Sequence, residues 1–186
     1  MGIIQLRHKQ LDDRARVTVQ RDVLSALAGW RGVLCINDRA DLARLAQLEA
    51  APGLTIALHL GQDDMPPAAA RAIVGQDVLI GWSTHTVEQV RAAHALPVDY
   101  LGFGPVFETT TKANPDATVG LADLKEAVVA SRWPLVAIGG ITAETVQSVR
   151  ATGVDMVAVA SALVAGGVEL LETRALALQK AMVELV

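Results

Sequence analysis

Polar residues that could do chemistry fall in small groups along an otherwise apolar chain: Gln5, Arg7 and Lys9; Asn37 and Asp38; Asp63 and Asp64; Ser83 and His85; Thr109, Thr110, Thr111 and Lys112; Gly139 and Gly140; and Ser161. The threonine run with Lys112 offers hydroxyl donors and a positive charge on a long segment reaching to Gly120. That combination suits a loop that orders over an anion. Glycines at 139 and 140 let backbone N–H groups approach a phosphate, and a helix starting just beyond them would add a favourable dipole. Other groups carry two readings. Arg7 and Lys9 are either a solvated basic patch or anion ligands. Asn37 and Asp38 can cap a helix starting near Asp41, and Asp63 and Asp64 can be helix-start acids ahead of Pro66 and Pro67. His85 is either a structural or an acid/base histidine. His59 reads as a core histidine, His8 and His94 as surface residues, and Cys35 as an inert small hydrophobe.

The elements that must position these groups are legible as apolar runs. Segments 3–6, 33–36, 54–60, 78–82, 98–103, 134–138 and 156–160 are short and rich in Val, Ile, Leu and Ala, which predicts buried strands. Segments 16–29, 40–49, 66–75, 86–95, 121–131 and 142–152 read as helices. The last helix carries the clearest stripe, with Val168, Leu171, Ala175, Leu178, Met182 and Leu185 at intervals of three and four. Thr86 and Thr142 stand where N-caps belong. Strand and helix alternate at about 25 residues per unit, the rhythm of a parallel α/β fold, either a barrel or an open doubly wound sheet. In both architectures the carboxyl ends of the strands carry the active site, and the polar groups fall there.

Composition narrows the class. A chain of 186 residues suits one domain spanning 1–186, and 52% apolar residues exclude general disorder. The net charge of -4 argues against nucleic-acid binding through a basic surface. A single cysteine excludes intrachain disulfides and cysteine-cluster metal sites. No apolar run approaches the roughly 20 residues of a membrane span, and the first residues lack a signal-peptide core, so a cytoplasmic protein with no membrane partner is expected.

The motifs QLRHK (5–9), INDRADLA (36–43), HLGQDD (59–64), GWSTH (81–85), DYLGFGPVFETTTK (99–112), VAIGGIT (136–142) and VAVASAL (157–163) together resemble the thiamine phosphate synthase and TenI family. The resemblance implies a TIM (β/α)8-type barrel. Here that barrel lacks the first βα unit ahead of the glutamine motif. An incomplete barrel would leave apolar surface that a homodimer could cover.

The activity implied is that of a transferase in thiamine biosynthesis. It joins hydroxymethylpyrimidine diphosphate to a thiazole phosphate and releases pyrophosphate, so the partners are small phosphorylated substrates. Position by position, Gln5, Arg7, Lys9 and Asn37 match the diphosphate site, Asp38 and Asp64 the magnesium ligands, and Ser83 a pyrophosphate contact. Thr109, Thr111 and Lys112 match the loop that grips the thiazole phosphate and pyrophosphate. Gly140 and Ser161 match phosphate-binding backbone. Arg7, Lys9 and Lys112 would neutralise the leaving group. Two other readings stand beside this one: a TenI-type thiazole tautomerase centred on His85, and a non-catalytic phosphate-ligand-binding relative. The sequence departs from the family pattern in a longer stretch between Asp38 and Asp64, in Ile56, Ala57 and Leu58, and in Glu108 where proline is common.

Overall fold

In the computed structural model, which describes residues 2–109 and 117–183, the chain divides into two compact units: 1–82 with 96–99, and 83–95 with 100–186. The first holds β1 (Ile3–Leu6), α1 (Asp13–Ala26), β2 (Val33–Asn37), α2 (Ala40–Glu49), β3 (Thr55–Leu60), α3 (Pro67–Val74) and most of β4 (Leu79–Thr84). Every pairing is parallel and joins neighbours in sequence. Ile3 lies opposite Val33, Asn37 opposite His59, and Leu60 opposite Trp82. Parallel strands covered on both faces need unbroken apolar runs rather than alternation. β2 and β3 have them, and Leu34, Ile36, Leu58, Leu60 and Ile80 are buried. β1 is different. Ile3 and Ile4 point to opposite faces, yet are 42% and 45% exposed, so neither face of this strand is covered within the unit.

Local chemistry sets the helix ends. Asp12 accepts the Ala15 N–H at 2.8 Å, and this cap starts α1 three residues before the expected position. Pro67 opens α3, and Gly75, at φ +77°, closes it. The buried Gln20 ties α1 to α2 by donating to the Leu42 carbonyl at 3.2 Å. At the amino-terminal side of the strands, Arg71 donates to the carbonyls of Gly75 at 2.9 Å and Val78 at 2.6 Å, and to Asp99 at 2.5 Å. The same Asp99 oxygen takes the Ile80 N–H at 2.7 Å.

The second unit holds the end of β4, α4 (Val87–Ala92), β5 (Tyr100–Phe103), α5 (Gly120–Ala130), β6 (Leu135–Ile138), α6 (Val146–Arg150), β7 (Met156–Ala158), α7 (Ser161–Val164) and α8 (Leu171–Val183). Three-residue 3-10 turns lie at Ala93–Ala95 and Val168–Leu170. β5, β6 and β7 again pair in parallel and in order, with Leu101 opposite Leu135 and Val136 opposite Met156. Asp155 repeats the device of Asp99: standing just before a strand, it accepts the N–H of Leu135 at the start of the preceding one, at 2.8 Å. Strands wound in chain order with helices between them make this an α/β fold of the TIM-barrel type, with seven strands among the described residues.

All seven predicted strands are present. Three sequence expectations need correction. Thr86 caps α4, accepting the Gln89 N–H at 3.2 Å, but Thr142 caps nothing: it donates its own N–H to Thr145 Oγ1 at 2.9 Å, and α6 starts only at Val146. The predicted final stripe, of which Leu185 lies outside the described residues and Val168 falls in the 3-10 turn before α8, is largely uncovered. Leu178 is buried, while Val168 is 80% and Leu171 41% exposed, because periodicity reports helix formation and not whether a neighbour arrives. His94 is half-buried rather than a surface residue, and its Nε2 is buried without a hydrogen-bond partner. The four-residue α7 was not predicted, since so short a segment shows no period. No helix among the described residues is long and apolar enough to cross a membrane.

Two measurements check these energetics. Arg71→Ala removes the cationic partner of Asp99 and the donor to three carbonyls, those of Gly75, Val78 and Pro97, and should cost about 2–3 kcal/mol in denaturant unfolding. A loss within error of zero would remove the clamp from the stabilising interactions. Arg39 bridges Asp13 at 2.6 Å and grips Asp41 through both carboxylate oxygens, and it holds both carboxyls below the usual carboxylate value. Groups whose folded pKa is lowered contribute stability above their unfolded pKa, about 4, and lose it as pH falls through the folded value. Thermal midpoints followed from about pH 5 to about pH 2 should therefore fall less steeply in Arg39→Ala than in the parent chain. Parallel curves would refute the assignment.

Candidate functional site

In the first unit the site grows from the carboxyl ends of β1, β2 and β3. Gln5 lies within β1, opposite Cys35, and its amide nitrogen stands 3.8 Å from the Cys35 sulfur. Arg7 and Lys9 follow on exposed backbone, as the edge strand runs into its loop. Asn37 ends β2. Asp38 then turns sharply: its N–H goes to the His59 carbonyl at 2.9 Å, and the next N–H, of Arg39, returns to the Asn37 carbonyl at 2.8 Å. Among the described residues Asp38 is the one non-glycine residue with positive φ, at +63°, a region that Asp tolerates better than most side chains. The turn sets the carboxyl beside that of Asp64.

Asp64 reaches the same place from β3 by a different route. Its Oδ2 accepts the Gly61 N–H at 2.7 Å, and its own N–H goes back to the Gly61 carbonyl at 3.3 Å. The segment Gly61–Asp64 thus folds on itself and fixes one carboxylate oxygen. The carboxyls of Asp38 and Asp64 lie within hydrogen-bonding reach of each other, and Lys9 Nζ stands 3.4 Å from Asp38 Oδ2. Burial first, and the Asp64 carboxyl second, push the Asp38 pKa above the usual carboxylate value, while Lys9 opposes them. Two acids held together with one cation beside them form an electrostatically unfavourable group awaiting positive charge.

This geometry decides between the alternative readings of the acids. The residue before α2 is Arg39, with no side-chain capping bond, so neither Asn37 nor Asp38 is a helix cap. The residue before α3 is Pro66, again without a capping bond, and Asp64 spends its carboxylate on Gly61. Asp63 is exposed and apart from this arrangement. Among the described residues no cluster of three or more His, Cys, Asp or Glu side chains could hold a metal. A pair of carboxylates still fits magnesium, which keeps several waters and completes its shell with substrate phosphate oxygens.

In the second unit, Ser83 belongs to β4, and His85 follows that strand. His85 Nδ1 lies 2.6 Å from the Gly104 carbonyl, and its backbone N–H donates to Gln89 Oε1 at 2.6 Å. A carbonyl can only accept, so Nδ1 carries a proton and donates it. Thr109 is half-buried beyond β5. Thr111 and Lys112 lie outside the described residues. Gly140 stands two residues past β6, and Ser161 is the first, exposed residue of α7 after β7. Within each unit, then, the singled-out residues that are described stand past or at the carboxyl ends of their strands, with Gln5 and Ser83 inside strands; Thr110, like Thr111 and Lys112, lies outside the described residues. Sequence reasoning gave no role to Gly61, which turns out to anchor Asp64. The signal available was a glycine three residues before an acid at a strand end.

Comparisons with known proteins identify the family. Residues 1–163 match the family model described as thiamine monophosphate synthase. The thiamine-phosphate synthase of Koribacter versatilis is 43% identical over 157 residues, covering 84% of this chain and 71% of the relative. That of Clostridium novyi is 40% identical over 161 residues, covering 87% and 76%. The solved structure of the thiamine phosphate pyrophosphorylase from Pyrococcus furiosus superposes with a TM-score of 0.81 at 30% identity, over 97% of this chain and 82% of the other. With seven parallel-strand units in family order and the motifs from Gln5 to Ser161 in place, the chain belongs to the thiamine monophosphate synthase (TMP-TenI) family.

Proposed function

We propose that this chain is a magnesium-dependent thiamine-phosphate synthase, with residues 1–186 serving as one catalytic domain. The reaction breaks the bond between the pyrimidine methylene carbon and the diphosphate oxygen. Pyrophosphate leaves with the electron pair, and the thiazole nitrogen supplies the pair for the new C–N bond. The observation that carries this reading is the Asp38–Asp64 carboxyl pair with Lys9 at 3.4 Å. A folded chain tolerates paired acids at a strand end where a cation and an anionic substrate make use of them.

The roles follow from charge. Asp38 and Asp64 would hold the magnesium ion. When bound, magnesium supplies positive charge to the diphosphate oxygens and eases departure of pyrophosphate. Arg7 and Lys9, on the exposed β1–α1 segment, bind the diphosphate and stabilise charge on the leaving group, with Gln5 and Asn37 as polar contacts. Lys9 has a second task, since it offsets the repulsion at Asp38 until substrate arrives. In the other unit, Ser83, Thr109, Thr111 and Lys112 are read as anion contacts, and Gly140, through its backbone N–H, and Ser161 as phosphate ligands. No side chain needs to act as a nucleophile. Positioning of the two reactants together with stabilisation of the leaving group accounts for the rate.

His85 supports a second reading. Its Nδ1 faces the Gly104 carbonyl at 2.6 Å, a contact that orients the ring as an acid/base step in a thiazole tautomerase would require. Metal-free turnover of a thiazole carboxylate phosphate, abolished in His85→Asn, would select that activity.

Three outcomes test the main reading. The chain incubated with both substrates and magnesium should form thiamine phosphate, and chelation should stop it. No product, together with ligand binding indifferent to chelator, would refute the assignment. Asp64→Ala should lose metal-dependent turnover by about 100-fold or more while unfolding as cooperatively as the parent. Unfolding of that variant would make Asp64 a structural residue instead. Asp38→Asn should abolish turnover yet stabilise the fold by about 1 kcal/mol, because it removes a partly buried charge facing Asp64. A destabilised Asp38→Asn would mean that the acid pair supports the fold rather than taxing it.

A further inference from the structure

The loop that leaves β5 does not run free above the sheet. The Val106 N–H donates to the Ile138 carbonyl at 2.9 Å, and the Phe107 N–H to the Gly139 carbonyl at 3.0 Å. Residues 106 and 107 are therefore tied by backbone hydrogen bonds to the end of β6, past the last paired residues of β5 and β6. The approach is closer than side chains would permit. A Cβ on Gly139 would lie 2.4 Å from Pro105 Cβ and 2.6 Å from Pro105 Cα. One on Gly140 would lie 2.4 Å from the Glu108 carbonyl oxygen and 2.7 Å from Phe107 Cβ. Both glycines have left-handed φ, +100° and +64°, so the backbone also rises toward the loop in a shape that other residues resist. On the far side, the Val119 N–H returns to the Pro105 carbonyl at 2.8 Å and the Gly120 N–H to Val106 at 3.2 Å, which pins the base of the loop at both ends.

We propose that Gly139 and Gly140 are positioning residues: their missing side chains register residues 105–108 against the end of β6 and so set where Thr109 stands. The position a side chain on Gly140 would take is filled here by Glu108 and Phe107, so this face of the glycine serves the loop and only its backbone N–H is left to serve a phosphate. The glycine pair thus acts on substrate through the neighbouring loop. This inference rests on the reading of Thr109 as a contact for the phosphorylated thiazole. It assigns the pair a task that a phosphate-binding backbone does not require.

The test compares Gly140→Ala, Thr109→Ala and Gly153→Ala by steady-state kinetics and thermal unfolding of the full chain. Gly153 provides the control. Its φ is +87°, but an added Cβ would meet only Val128 Cγ1, at 3.7 Å, so Gly153→Ala introduces the backbone strain without displacing the loop. Misplacing a substrate-positioning group by an ångström can cost up to about 100-fold, so the expected result is a KM for the thiazole phosphate raised about tenfold in both Gly140→Ala and Thr109→Ala. Gly153→Ala should lower the thermal midpoint and leave KM unchanged. If Thr109→Ala raises KM but Gly140→Ala only lowers the midpoint, the positioning role is overturned and the Thr109 reading survives. If Thr109→Ala leaves KM unchanged, the Thr109 reading fails and the inference with it. A raised KM in Gly153→Ala as well would reduce the effect to general strain and also overturn it. Gly139→Ala, whose clash falls on Pro105 and which has no ligand role, should raise KM as Gly140→Ala does and takes its place should that variant not fold; a raised KM in Gly140→Ala with KM unchanged in Gly139→Ala would be loss of a direct phosphate ligand and would overturn the positioning role.

Discussion

Two carboxyls within reach of each other at adjacent strand ends form the constraint around which the first unit is arranged. Left alone, Asp38 and Asp64 repel, and burial makes the charge on Asp38 costlier still. Backbone hydrogen bonds hold them there. Asp38 is aimed by a turn at positive φ that is pinned to His59, and Asp64 by a segment that closes on Gly61. Both devices hang on the ends of strands whose register is locked by the buried apolar residues of β2 and β3. Hydrophobic burial therefore supports an arrangement that the site's own electrostatics disfavour, as functional sites commonly require.

The second unit shows the complementary strategy. Its candidate residues are mostly hydroxyls and backbone around loops, and the problem it solves is placement rather than repulsion. Asp155 fixes the start of β6, Thr84 donates to the Gly102 carbonyl at 2.8 Å, and the glycine pair lets the β5 loop settle onto β6. Asp99 in the first unit performs the same service as Asp155. At both places an aspartate ahead of one strand trims the beginning of the strand before it, leaving the carboxyl ends free for loops. Stability residues gather at one end of the strands and chemistry at the other, the division expected of TIM-barrel proteins.

The sequence determined the alternation of strands and helices by itself. Buried parallel strands must be continuous apolar runs, and the punctuation between them, such as Asp12, Thr86, Pro67 and Gly75, acts over a few residues. It also placed the candidate acids, cations and hydroxyls at strand ends, since position along a βα unit is a local property. Tertiary structure decided everything that depends on which elements meet. Asp38 could as well have capped α2, and only the register of β2 against β3 turned it toward Asp64. Gly61 and Gly139 gained their roles from residues brought against them by folding. The stripe of α8 kept its period but found little to cover it, because a hydrophobic pattern encodes one surface and says nothing of the other that must complete it.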